Sequence, residues 1–332
     1  MSATIGKLVD RVYREYLEPN DDIQSFSILR GAMLADATDT TVEYESDYLT
    51  SEEEDLLEPG AVVEVNRELM LVTALNTSAE QLTVKRAFRG TTLAAHSVDD
   101  VMRVNPVFPR NTVFDAVCDQ IKNLYPTLFA TETKSITSKV GYIPLSGAND
   151  NYLIAPIKAI SQYTDFSAGS DETGTIYAGV AVEIVDLPNP FTYTDADGVS
   201  QTITYSNNGP DKVNAVQIYN VNSGHTVFVT FKKKFIEPTA ESDTLASIGL
   251  ESEYEPIIMA GTAAQMIAGR DIPSATAENI TQSMQAQSFP VNSASTIRNS
   301  LLRYQQALIE QARKDLRARF PEPVTVNKIS YT

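Results

Sequence analysis

The side chains able to do chemistry are few in this sequence and far apart. There are two histidines, His96 and His225, and one cysteine, Cys118. None stands at the Cys-x-x-Cys or His-x-x-x-His spacing that holds a metal ion. Cys118 lies among Phe114, Val117 and Ile121 at helical spacing, which marks it as a small buried hydrophobe, and alone it can form no internal disulfide. Asp195-Ala-Asp197-Gly198 opens like a calcium loop but lacks the distal bidentate glutamate, so it reads as a hairpin turn. There is no Gly-x-Ser-x-Gly elbow, no glycine loop to cradle phosphate and no tryptophan for a sugar platform. The expectation is a protein without catalytic residues, cofactor or metal.

What remains is charge. Lys232-Lys233-Lys234 is a basic triplet that reads as a solvated strand edge, where lysines discourage unwanted pairing, or else as a contact with an acidic partner or DNA. Ser51-Glu52-Glu53-Glu54-Asp55 reads as a solvated acidic loop. With 26 Lys and Arg against 43 Asp and Glu, the net charge is −17, and so acidic a surface repels polyphosphate. The last predicted helix departs from this balance. It carries Arg298, Arg303, Arg313, Lys314, Arg317 and Arg319 against Glu310 and Asp315, which predicts an electrostatic seam with a partner.

The elements that would position these residues follow from hydrophobic period. Thr4 can cap a helix running to Leu17, with Ile5, Leu8, Val9, Val12 and Tyr16 on one face. Residues 25–105 change to strand period, with Asn66-Arg67 as a turn between two strands. Arg110-Asn111-Thr112 opens a second helix ended by Pro126. Residues 135–237 are again strand-like and rich in turns, which predicts an inserted β-sandwich of the jelly-roll kind. Helices return at 255–270 and 294–319, the latter with the stripe Ile297, Leu301, Tyr304, Leu308, Ala312 and Leu316. The expected fold class is α+β. A helical bundle core is drawn from 1–24, 106–134 and 238–320, with a small β module at 25–105 and the sandwich at 135–237. Residues 321–332 form a C-terminal arm in which Val324, Val326, Ile329 and Tyr331 alternate like an unpaired strand and join the basic helix as a partner-binding surface.

At 332 residues, two or three units are the expectation. No apolar run approaches the ~20 residues that span a bilayer, and the N-terminus has neither a basic nor an apolar signal region. The chain is expected to be made in a cytoplasm, with no membrane contact.

Two stretches carry a resemblance. Leu82-Thr-Val-Lys-Arg-Ala-Phe-Arg-Gly-Thr-Thr-Leu-Ala-Ala-His96 resembles the strand, Arg, Gly, Thr-Thr, Ala-Ala-His turn of small β modules in tailed-phage virion proteins. Here Arg86, Gly90, Thr91, Thr92 and His96 read as structural: Gly90 supplies a positive φ, and the two threonines fix the turn through hydroxyl-to-backbone bonds. Tyr254-Glu-Pro-Ile-Ile-Met-Ala-Gly-Thr-Ala-Ala-Gln-Met-Ile-Ala-Gly-Arg270, followed by Tyr304-Gln-Gln-Ala-Leu-Ile-Glu-Gln-Ala-Arg-Lys-Asp-Leu-Arg-Ala-Arg319, is similar to the head-to-tail connector (adaptor or neck) proteins of siphophages. The resemblance implies a virion structural protein that forms a homo-oligomeric ring, often a dodecamer. Its partners would be the portal protein on one side and the stopper, tail terminator or tail tube on the other. Genomic DNA would pass through a non-sticky channel, and the seat would be the virion neck. The alternative is a tail-tip or fibre protein binding a host surface glycan, for which Tyr152, Tyr163, Phe166, Tyr193 and Tyr205 are the aromatic candidates.

Overall fold

The structure is a computed structural model that describes residues 3–17, 25–136, 141–144, 153–165, 174–179, 182–188, 190–194, 200–203, 212–218, 226–268, 294–320 and 326–329. The chain divides into two compact units. The first comprises Met1–Gln120, Pro238–Thr244 and Tyr254–Leu308, and the second Ile121–Glu237, Leu245–Glu253 and Ile309–Thr332. Among the described residues the helices are α1 (Ile5–Val12), α2 (Ser51–Glu54), α3 (Arg110–Leu124), α4 (Glu255–Ile267) and α5 (Ala294–Arg319).

In the first unit, β1 (Phe26–Ile28), β2 (Thr41–Glu43), β3 (Val62–Val65), β4 (Glu68–Asn76), β5 (Gln81–Lys85) and β6 (Val101–Val104) form one antiparallel sheet in the order β1-β6-β3-β4-β5-β2. Its two edges meet. Arg30 N–H donates to Glu43 O at 2.9 Å and Glu45 N–H to Ile28 O at 3.0 Å, flanking a bridge between Leu29 and Tyr44. The curled sheet therefore closes on itself, and closure removes the unpaired edges that would otherwise recruit other chains. Alternation explains the inside. Leu82 and Val84 of β5 are buried between exposed Thr83 and Lys85, and they join Leu29, Val42, Tyr44, Val63, Met70 and Met102 in one core. Asn66, at φ +54, makes the two-residue link from β3 to β4.

The remaining strands lie in the second unit: β7 (Ala130–Ile136), β8 (Gly141–Pro144), β9 (Leu153–Asp165), β10 (Gly174–Gly179), β11 (Val182–Pro188), β12 (Phe191–Thr194), β13 (Ser200–Ile203), β14 (Lys212–Ile218), β15 (Thr226–Lys233) and β16 (Val326–Ile329). They form two four-stranded sheets, β10-β9-β15-β7 and β16-β11-β14-β8, and the β12-β13 hairpin.

These observations overturn the expected helical bundle core. Among the described residues strands outweigh helices, and α2 is a single turn of four residues. The helical faces were read correctly as apolar, but apolarity does not name the partner. The start of α3 lies on the β module: the Arg67 guanidinium stacks 3.6 Å from the Phe114 ring centroid, and Glu64 of β3 accepts the Arg110 backbone N–H. The jelly-roll expectation also needs correction. β16 pairs with β11 in parallel, Val182 opposite Val326 through Val185 opposite Ile329, whereas a jelly roll is wholly antiparallel. The same pairing corrects the arm, because its strand is not free but is an end strand of a sheet in its own chain.

Candidate functional site

The motif-bearing turn is built around a residue the sequence reading passed over. Glu68 shares its face of β4 with the core residues Met70 and Val72, so its carboxylate points into one end of the barrel, where its side chain is fully buried. An isolated carboxylate there would be costly. The segment from Arg86 to His96 folds over it and supplies the missing partners. Arg86 donates from Nε to Oε1 and from Nη2 to Oε2, each at 2.7 Å. The backbone N–H groups of Ala87 and Ala94 each donate at 3.0 Å, and His96 Nε2 lies 3.0 Å from Oε2. His96 Nδ1 lies 3.4 Å from Asn66 Nδ2, so a proton on Nε2 lets the ring donate to Glu68 and accept from Asn66. Burial by itself pushes the Glu68 carboxyl up, but the bonds from Arg86, Ala87, Ala94 and His96 outweigh it and hold it down at about 2.

Arg86 then ties this end of the barrel to three carbonyls, Leu34 O at 3.1 Å, Asp39 O at 3.2 Å and Ala94 O. Thr91 Oγ1 accepts from Leu69 N–H at 3.1 Å and donates to Phe88 O at 3.1 Å. Gly90 has φ +78, and Ala87 and Arg89 are also left-handed at +50 and +54. Thr92, by contrast, is exposed and makes no side-chain bond among the described residues, so one of the two threonines expected to fix the turn does so.

Beside this plug lies a polar cavity of about 370 Å³ lined by Glu64, Asn66, Asp99, Asp100, Arg103 and Arg110 among others. Two of its lining charges, Arg110 and Glu241, are engaged with each other. Arg110 grips Glu241 through Nε at 2.9 Å and Nη2 at 2.7 Å, and Asp10 through Nη1 at 2.7 Å. Burial lowers the Arg110 pKa, yet the two carboxylates reverse this and raise it. Glu64 accepts the Arg110 backbone N–H, placing a carboxylate at the start of α3, where the helix dipole favours it. The Arg103 guanidinium sits over the Tyr13 ring at 4.6 Å.

The expected partner-binding residues separate into groups. Arg319 pairs with Glu251 at 2.6 Å and Glu253 at 2.8 Å, and Arg313 lies 3.6 Å from Glu310. Arg298, Arg303, Lys314 and Arg317 are exposed on α5 and have no ion pair among the described residues. Val326 and Ile329 belong to β16, while Val324 and Tyr331 lie outside the described residues. Lys232 and Lys233 are not at a sheet edge, because β15 runs between β9 and β7, and Lys234 follows the end of that strand. Lys233 Nζ donates to Glu132 at 2.8 Å, and Lys232 and Lys234 sit 4.5 and 5.4 Å from the ring centroids of Phe129 and Tyr125. Cys118 is buried, 3.7 Å from Pro238 O. His225, the Asp195–Gly198 turn, and Tyr152, Phe166 and Tyr205 lie outside the described residues, as do the side chains of Tyr163 and Tyr193. No family model matches the chain, and neither does any curated protein.

Proposed function

We propose that the chain is a structural subunit of a tailed-phage particle, a ring-forming head-to-tail adaptor seated in the neck between portal and tail. The observation that carries this reading is the use of the Arg86–His96 turn. Arg86, Thr91 and His96 all act on the barrel itself, two of them on the Glu68 carboxylate and the third on β4. The stretch that resembles virion β modules is thus a plug that defines the fold, and the outer surface is left to meet other molecules. That surface is acidic overall, with cations on α5 that have no ion pair among the described residues, an asymmetry that head-to-tail contacts between identical subunits can use. In such a ring the portal binds one side and the stopper or tail the other, and carboxylates along the channel repel the passing genome.

The test is light scattering on the purified full chain, with and without portal particles, followed by negative-stain imaging. A closed ring with a central pore is the expected result. A trimer would move the reading to the tail-tip or fibre class, and a monomer under both conditions would overturn the ring.

A further inference from the structure

We propose that, within the ring, the barrel face carrying Phe26, Tyr48 and Val101 docks on the Arg298–Arg303 stretch of α5 in the neighbouring copy. This rests on the ring reading above and names the surfaces that close it. Phe26 and Ile28 alternate with fully buried Ser27 along β1, so both face outward, and Val101 stands opposite Ile28 on β6. Phe26 and Tyr48 pack ring against ring at 6.1 Å, yet 36% of Phe26, 51% of Tyr48 and 49% of Val101 remain exposed. An aromatic pair with an aliphatic neighbour standing in water is the composition of an interface anchor.

Charge decides what covers it. Beside Tyr48 in the chain, Asp47, Glu52 and Asp55 are exposed and have no ion pair among the described residues. The carboxylates between them are occupied: Glu53 caps Thr50 N–H at 2.8 Å, and Glu54 accepts from the Tyr44 hydroxyl at 2.8 Å. The complement is a cationic surface with an apolar centre. On α5, Leu302 is 37% exposed, Arg303 follows it and Arg298 lies one helical turn before it, both arginines exposed and unpaired among the described residues. Two different patches that fit each other give a heterologous contact, which propagates from copy to copy and closes as a ring when the rotation between copies divides a full turn.

The experiment uses three full-length variants, each checked for folding by circular dichroism and thermal melting. Asp47→Lys with Glu52→Lys, and Arg298→Glu with Arg303→Glu, should each weaken ring association by at least roughly tenfold. The chain carrying all four reversals should assemble like the parent, and the parent ring should loosen as salt rises. If either double variant assembles as tightly as the parent, or the fourfold variant fails to recover, the docking is wrong while the ring stands. If the parent itself stays monomeric, both fall. Tyr48→Ala gives a check without charge: it should also weaken the ring, and an unchanged association would overturn the anchor.

Discussion

In the barrel at 26–104 a charged side chain lies inside and polar partners from one turn converge on it. In the sheets between 130 and 233 the polar pairs that can be followed are exposed or half-buried, within reach of water. Glu68 is buried and held by Arg86, His96 and two backbone N–H groups. On β15, by comparison, Val227, Val229 and Phe231 are fully buried on one face. Its polar side chains pair across the strand, Thr230 with Thr133 at 3.0 Å and Lys233 with Glu132 at 2.8 Å. The first arrangement specifies geometry, because any slip strands a buried charge. The second relies on apolar alternation and adds only small pair energies. Register is thus fixed by penalty in one region and by preference in the other.

The sharpest way to break this contrast is to remove the inner charge. Glu68→Leu leaves the Arg86 guanidinium buried without its partner and should lower stability by about 3–5 kcal/mol in urea unfolding. Glu132→Leu removes a half-buried carboxylate whose lysine partners keep access to water, so it should cost less, about 1–2 kcal/mol. Comparable losses at both sites would end the distinction. Acid provides a second measure of the same group. With its carboxyl at about 2 in the fold against about 4.3 when unfolded, Glu68 stabilises the native state fully above the unfolded value. That contribution disappears as pH falls from about 4.3 toward 2. The urea midpoint should fall across this window, and Glu68→Gln should flatten the slope.

A similar rule of close fit governs the helices of the first unit. A Cβ on Gly261 of α4 would come within 2.2 Å of Gln120 Oε1 on α3 and of Gln305 Nε2 on α5. Those two glutamines hydrogen-bond each other at 2.9 Å, and Gln305 also reaches Ile257 O at 3.3 Å. Gly261→Ala should therefore destabilise by about 1–3 kcal/mol through overpacking. Gln120→Ala in the same chain should recover part of that loss in thermal melts.

The turn over Glu68 separates backbone strain from packing. Nothing lies within 4 Å of a Cβ built on Gly90, so Gly90→Val meets no steric wall, but φ +78 strains any L side chain. The expected loss is about 1–2 kcal/mol. At Ala87, φ +50 already carries such strain, so Ala87→Gly should be neutral or slightly stabilising. Equal losses at both positions would mean that the turn is held by side-chain contact.

These cases show what the sequence could and could not reveal. Strand alternation, the Asn66-Arg67 link and the apolar faces of α1 and α5 are local patterns, readable from period alone. Barrel closure is not local, because it depends on backbone bonds from Arg30 to Glu43 and from Glu45 to Ile28. The bundle expectation failed for a related reason: α3, α4 and α5 do meet at Gly261, but an apolar stripe says only that a helix is covered and not that helices form the core. Arg86 and His96 were visible as a motif, whereas the Glu68 they serve was missed. Its signal was present all the same, as a carboxylate in phase with Met70 and Val72 on the inward face of a strand. The lysine triplet misled because an edge and an inner strand share the same sequence, and only the pairing of β15 with both β9 and β7 separates them.

The smallest effect tests the preference side of the comparison. Thr133 and Thr230 stand opposite each other in the β7–β15 ladder, with their hydroxyls 3.0 Å apart at an exposed position. Water competes for both hydroxyls there, so the pair has little to gain over its solvated state. Each single change to Val keeps the β-branched shape and removes one partner, which leaves backbone propensity and packing nearly unchanged. A double-mutant cycle of Thr133→Val and Thr230→Val should then give a coupling of about 0.2–1 kcal/mol, typical of a cross-strand pair. A coupling several times larger would mean that this ladder, like the Glu68 plug, penalises a slip, and the two regions would no longer differ in kind.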